Sequence, residues 1–325
     1  TLLAMVVGGN KFLKDWGFET VIFSLLIGLF ISNIFSIPKW LKESLSSELF
    51  VKIGLVLLGT TVLFDDLLKA GALGLIQSCV VVFTVWNFCF WLCRKMKIDK
   101  EMSLMLSSAV SICGVSAAVA TAGAIKGDKT KLSYVVSLVL VVAVPMILIM
   151  PGLAKLMGLP EDMAGAWIGG TIDTTGAVAA TGAIYGEVAL QTSTIVKFSQ
   201  NVLLGVAAFL ISIYWSYSKK EVTEEKTTLK VIWLRFPKVV LGFVAASLVF
   251  SFCVAPEVVS DAKPILKNIQ GMWFALAFMS IGLETDFKSL ITSENRRSTY
   301  AFLGAQAFNV VFTLLVAWIL FGLIA

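Results

Sequence analysis

Ten stretches of this chain are apolar over roughly the 20 residues that a helix needs to cross the hydrocarbon core of a bilayer, and that repetition leaves few folds open. The approximate spans are 18–36, 49–64, 71–93, 102–125, 132–150, 163–185, 190–217, 231–254, 264–284 and 298–324. With 58% hydrophobic and 14% charged residues and a mean hydropathy of +0.90, the chain lies far from the composition of a soluble domain. The pattern predicts an all-α polytopic membrane protein, a single transmembrane domain over residues 1–325 that divides into halves at 18–157 and 163–325. Only 218–230 has soluble character, and it reads as a cytoplasmic linker. The apolar start, Thr1 to Val7, reads as the tail of a preceding helix or signal.

The net charge of +5 does not point to nucleic acid, because the 26 basic residues are spread through short loops with no basic helix or aromatic-basic stripe. Positive-inside topology accounts for them better. If every segment crosses, the face with loops 37–48, 94–101, 151–162, 218–230 and 285–297 has 14 basic residues against 8. If the fourth and sixth segments are re-entrant, the count becomes 16 against 6. The second arrangement obeys the rule better, and helices broken at mid-membrane are the alternative. In both, the 94–101 loop is cytoplasmic.

The five cysteines lie in apolar runs without metal-ligand spacing and read as buried small hydrophobes. The chain has no histidine, which removes imidazole relays and the usual zinc and haem chemistry. No nucleophile elbow, phosphate loop, HExxH or paired metal carboxylates occur, so an enzyme is not expected and no cofactor is implied.

Gly169 to Glu187 stands apart, with almost no bulky side chain, several glycines and threonines, and a carboxylate, Asp173. It echoes Val110 to Asp128: aligned with Gly182 over Gly123, the two match at Ala118/Ala177, Val119/Val178, Ala120/Ala179, Ala124/Ala183, Ile125/Ile184 and Gly127/Gly186. Such a pair suggests inverted repeats, with two discontinuous or re-entrant helices at mid-membrane. A weaker likeness pairs Ile53 to Asp65 with Phe274 to Asp286, mainly through Leu55/Leu276 and Asp65/Asp286. Small residues alone also serve close helix packing. Hydroxyls and glycine-permitted breaks add a second use, since a half-helix N-terminus seats an anion. The break points read as Ser111, Cys113, Gly114 and Ser116 in one copy, and Gly170, Thr171, Asp173, Thr174 and Thr175 in the other.

A carboxylate near the bilayer centre costs at least about 2.5–3.5 kcal/mol on insertion scales, so Asp173 should face a partner, a cation or water. Lys197 is the expected partner, heading a polar stripe with Gln200 and Asn201; snorkelling to an interface is its bland alternative. Asp65, Asp66, Glu284 and Asp286 read as interfacial. Gln306 and Asn309 read as hydrogen-bonding between helices.

Ser111-Ile112-Cys113-Gly114, Ile168-Gly169-Gly170-Thr171-Ile172, the Lys197 segment and Leu276-Ala277 through Gly282-Leu283 resemble the family of bacterial inner-membrane proteins labelled sulfate exporters. That family is similar to the superfamily of cation/proton antiporters and anion transporters. The resemblance implies inverted repeats and discontinuous helices meeting at mid-membrane, and often one further N-terminal helix. Where the family typically has His-Glu this chain has Asp173-Thr174, and where it often has arginine after the lysine this chain has Gln200. The expectation is a multi-pass secondary transporter of the bacterial inner membrane that moves a small anion, sulfate-like or organic, coupled to H+ or Na+. The residues above with Lys197 and Gln200 would form the site, with Na+ at Asp173 as the one metal-ion option. A Na+/H+ exchanger is the alternative reading, and a channel a lesser one. The partners expected are the anion and the bilayer, with a homo-oligomer compatible and nucleic acid not.

Overall fold

A computed structural model describes residues 20–34, 47–60, 64–219, 238–284 and 296–324. Most of the expected linker 218–230, the loop with Asp286, and the starts of the first and eighth expected segments lie outside the described residues. Within them the chain is helical, with no strand. In chain order the helices are α1 (Thr20–Ile34), α2 (Ser47–Gly59), α3 (Phe64–Lys95), α4 (Lys100–Ser108), α5 (Gly114–Ile125), α6 (Lys129–Leu156), α7 (Glu161–Thr171), α8 (Thr175–Tyr185), α9 (Glu187–Lys219), α10 (Lys238–Leu248), α11 (Pro256–Glu284) and α12 (Arg296–Ala317). A π-helical turn, Ala109–Cys113, joins α4 to α5.

Among the described residues, five stretches are long and apolar enough to cross a membrane: Ala70–Lys95, Lys100–Ile125, Thr130–Leu156, Glu187–Trp215 and Arg296–Leu323. Lys100–Ile125 does not use its length that way. As one straight helix its ends would lie about 39 Å apart, yet Glu101 accepts the backbone N–H of Asp128, and Lys131 Nζ donates to Asp99 at 2.8 Å and Glu101 at 2.9 Å. α4 and α5 therefore form a hairpin whose open mouth is tied by these groups. Asp99 caps α4 through Met102 N–H and Asp128 caps α6 through Thr130 and Lys131 N–H. Those N–H bonds, led by that of Lys131, hold the Asp128 carboxyl below its ordinary range.

α7 and α8 form the second hairpin. The Tyr185 hydroxyl at its end donates to Leu159 O at its start, and Glu161 accepts the N–H groups of Val188 (2.9 Å) and Ala189 (3.3 Å). Helix α9 measures where the two hairpins sit. The mouth of the second lies at Val188 and Ala189, whereas Leu104 and Ile125, near the mouth of the first, pack on Ile211. From 189 to 211 is about 33 Å of helix. The hairpins thus enter from opposite ends of the bundle, and their tips meet in the middle.

α3, α6, α9 and α12 surround the hairpins. α1, α2, α10 and α11 form a second group, with α1 on α11 where the Gly28 backbone meets Met279 O and α2 on α11 where Gly54 faces the Phe274 ring. This group touches α8 through Ile281 and Val51 beside Gly176, and an exposed ion pair, Lys267–Glu187 at 2.6 Å, ties α11 to the start of α9.

Close helix approach explains part of the glycine content. A Cβ built on Gly169 would lie 2.5 Å from Ser193 O and 2.9 Å from Ser193 Cα on α9. The obstacle is backbone, which cannot swing away. Gly169→Ala is expected to cost about 1–3 kcal/mol of stability as an overpacking change, read as a lower unfolding midpoint in detergent.

Two expectations need correction. Cys89, Cys93 and Cys113 are buried, but Cys79 and Cys253 are exposed on the outside of the bundle. The ninth expected segment begins at Pro256 rather than 264, because Pro264 sits inside α11 instead of starting it.

Candidate functional site

Both hairpins break where the sequence offers small residues. In the first, the π-helical turn ends at Cys113 (φ −150°, ψ 54°) and Gly114 (φ 38°, ψ −109°) reverses the chain. Only glycine adopts that backbone at little cost, and a Cβ there would also lie 2.7 Å from Val139 Cγ1. In the second, α7 ends at Thr171, Ile172 and Thr174 are extended, and α8 starts at Thr175 with Thr174 Oγ1 accepting Ala177 N–H at 3.3 Å.

The tips touch. The Cβ position of Gly114 lies 3.2 Å from Asp173 O and 3.3 Å from Asp173 Cβ, and Cys113 Sγ is 3.9 Å from Thr175 Oγ1. The break positions are those that the echo alignment sets opposite each other, Gly114 over Asp173.

Each break leaves a helix C-terminus with unpaired carbonyls, and side chains from the surrounding helices satisfy them. From α9, Lys197 Nζ donates to Ile112 O at 2.9 Å and to Gln200 Oε1 at 2.6 Å, while Gln200 Nε2 donates to Gly170 O at 3.0 Å. From α12, Asn309 Nδ2 lies 3.2 Å from both Val110 O and Thr171 O, and Gln306 Nε2 is 2.9 Å from Thr171 O. From α3, Gln77 Nε2 donates to Ala166 O at 2.7 Å, a carbonyl within α7 rather than at its broken end. Lys197 is 1% exposed, so it does not snorkel. Its cation lies at a helix C-terminus, the end whose partial charge is negative.

Lys197 is not ion-paired with Asp173, contrary to the sequence expectation. Its ammonium is used by the first tip and by Gln200, and no ion pair within 4.0 Å joins the two. Asp173 is 2% exposed, and its Oδ2 has no hydrogen-bond partner. Asn201, the third member of the stripe, donates to Thr175 Oγ1 at 3.3 Å.

Of the other expected residues, Thr171 and Gly170 are buried at the second tip and Thr174 and Thr175 are half-buried there. Ser111 is buried but donates back to Ser107 O at 2.7 Å, and Ser116 is exposed two residues beyond Gly114. Gln77, Gln306 and Asn309 matter more than the sequence reading allowed. Their signal was amide side chains inside apolar runs.

A bundle of long apolar helices closed around polar, broken hairpins defines a helical membrane protein. The chain belongs to the family described as "Conserved hypothetical protein 698", which it matches over residues 1–301. It is 39% identical over 332 residues to a UPF0324 membrane protein of Rhodopirellula baltica, covering 99% of this chain and 61% of that protein. A UPF0324 membrane protein of Nitratidesulfovibrio vulgaris is 37% identical over 337 residues, covering 99% and 58%. One of Nitrosomonas europaea is 30% identical over 327 residues, covering 88% and 67%. The chain thus spans about three-fifths of the length of the first two relatives. No solved structure matches it.

Proposed function

We propose that the chain is a secondary active transporter that moves a small anion, sulfate-like or organic, across the bacterial inner membrane, coupled to H+ or Na+. The observation that carries this reading is the meeting of two broken hairpins from opposite ends of the bundle, with a buried lysine and a buried carboxylate at their tips. In a bilayer both hairpins would be re-entrant and the other eight apolar segments would cross. The hairpins would be inverted repeats, as the echo and the loop charges suggest.

The chemistry at the tips divides by helix end. Carbonyls of the entering half-helices α4 and α7 are taken up by amide and ammonium donors. The starts of the returning half-helices α5 and α8 bring the positive ends of two dipoles to the same place, with first-turn N–H groups available to an anion. Lys197 adds a full positive charge one tip residue away, through Ile112 O. Half-buried Thr174 and Thr175 mark the open side of the site. Alternating access would move the hairpin-bearing helices against α1, α2, α10 and α11.

Ligand-induced stabilisation tests the reading. A thermal-shift screen of the purified protein against sulfate, sulfonates and carboxylates should find one class that raises the unfolding midpoint by mass action. Lys197→Ala should lose that shift. A shift retained in Lys197→Ala would put the anion elsewhere.

The unpartnered Asp173 oxygen favours one second reading, a Na+/H+ exchanger without an anionic substrate. Sodium-driven proton flux in proteoliposomes without added anion would select it.

A further inference from the structure

The end of the bundle where the first hairpin opens holds basic groups that the site at the tips does not use. Arg94 and Lys95 close α3, Lys97 turns the chain at φ 58°, Lys100 opens α4 and Lys126 caps the end of α5. The carboxylates described beside them, Asp99, Glu101 and Asp128, are taken by Lys131 and by backbone N–H groups. Arg94, Lys95, Lys97 and Lys126 are exposed, and none forms an ion pair among the described residues.

Rings and a carbonyl hold three of these groups in place. Lys100 Nζ lies 4.3 Å from the centre of the Tyr214 ring on α9, and Lys95 Nζ lies 4.9 Å from that of Trp91 on α3. A ring face positions a cation without cancelling its charge. Arg94 Nη1 donates to Ile98 O at 2.6 Å, which fixes the guanidinium and leaves further N–H donors of its fork unspent. Arg94 follows Phe90 by one turn on the same face of α3, and Phe90 meets Tyr214 edge-on with ring centres 6.1 Å apart. Arg94 and Lys100 therefore stand at one aromatic seam between α3 and α9.

We propose that this corner, where α3, α4 and α9 meet, binds the phosphate of an anionic phospholipid headgroup, with Arg94 and Lys100 as its main contacts and Lys95 at its rim. The planar fork of arginine matches phosphate oxygens, and the ammonium adds a point charge. The surroundings suit a lipid rather than a soluble anion. Trp91 and Tyr214 are 54% and 42% exposed here, as amphipathic rings at a membrane–water boundary are. Deeper along the same helices, Phe83 on the Phe90 face of α3 and Leu210 one turn before Tyr214 on α9 are exposed apolar side chains for the acyl chains to cover. Basic pockets between membrane helices hold lipid headgroups by this combination of charge and apolar surface.

Thermal unfolding of the full chain in a neutral detergent, titrated with phosphatidylglycerol against phosphatidylcholine, tests this, with inorganic phosphate and glycerol 3-phosphate as soluble arms. The midpoint should rise with phosphatidylglycerol alone. Arg94→Gln and Lys100→Gln should each raise the half-effective lipid concentration about fivefold, the weight of one basic residue near an anionic surface, and together about 25-fold. Arg94→Lys keeps the charge and should lose less than Arg94→Gln. Lys155→Gln, which removes an exposed charge at the far end of α6, should titrate as the unsubstituted chain. An equal response to phosphatidylcholine, a double variant that titrates like the unsubstituted protein, or an equal loss in Lys155→Gln would overturn the inference. A rise with inorganic phosphate or glycerol 3-phosphate that the double variant abolishes would make the corner a soluble-anion site and overturn it as well.

Discussion

Asp173→Asn is expected to abolish gradient-driven anion uptake while the protein still folds. The substitution keeps the shape of the side chain, and Asp173 Oδ2 makes no hydrogen bond that asparagine would lose. Stability should hold or improve, because an ionised carboxylate inside a membrane bundle costs at least about 2.5–3.5 kcal/mol on insertion scales and the amide removes that charge. Function should not survive, because the amide neither takes up a proton nor balances a cation. Equal unfolding midpoints for the two proteins, with uptake reduced to the background of empty liposomes, is the expected pair of results. Uptake with unchanged Na+ and H+ dependence would show that Asp173 has no part in coupling.

Asn309→Ala should have the largest effect on the fold. Its amide nitrogen lies 3.2 Å from both Val110 O and Thr171 O, so one side chain ties the C-terminal ends of the entering half-helices of both hairpins. Its oxygen accepts from Thr313 Oγ1 at 2.7 Å. Alanine would leave two carbonyls weakened and one hydroxyl without its acceptor in a site that water reaches poorly. Each orphaned buried group costs about 1–3 kcal/mol. Gln306 still reaches Thr171 O at 2.9 Å, which limits the loss to Val110 and Thr313. We expect a destabilisation of about 2–5 kcal/mol, measured as the fall in unfolding midpoint, with hydrogen exchange increasing first at the two tips. A change confined to α12 would show that the hairpins are held without it.

The two hairpins were legible in the sequence because small residues and glycines announce a break that apolar periodicity does not, and because the breaks recur in register. Gly114 and Asp173, aligned by the echo, lie in contact. Helix ends were less legible. Pro264 resembles a helix start, but α11 already begins at Pro256, at the first-turn position where a missing N–H costs nothing. α3 likewise begins at Phe64, taking in Asp65, Asp66 and Lys69, which the apolar ruler excluded.

The pairing of polar groups was beyond the sequence. Lys197 and Asp173 are the two charges deepest in apolar runs, and opposite charges invite pairing. Which acceptor an ammonium reaches depends on where the first hairpin exposes a carbonyl, and that follows from the π-helical turn at Ala109–Cys113 and the reversal at Gly114. The same holds for Gln77, Gln306 and Asn309. An amide in an apolar run signals an interhelical bond, but its partner lies 89 to 199 residues away along the chain.

Accumulation of the anion that stabilises the protein, measured in proteoliposomes under an imposed Na+ or H+ gradient, tests the central claim most directly. The account predicts uphill accumulation that collapses when the ion gradient is dissipated. Anion flux that only runs down its own gradient at conductance rates, unaffected by either ion, would contradict it.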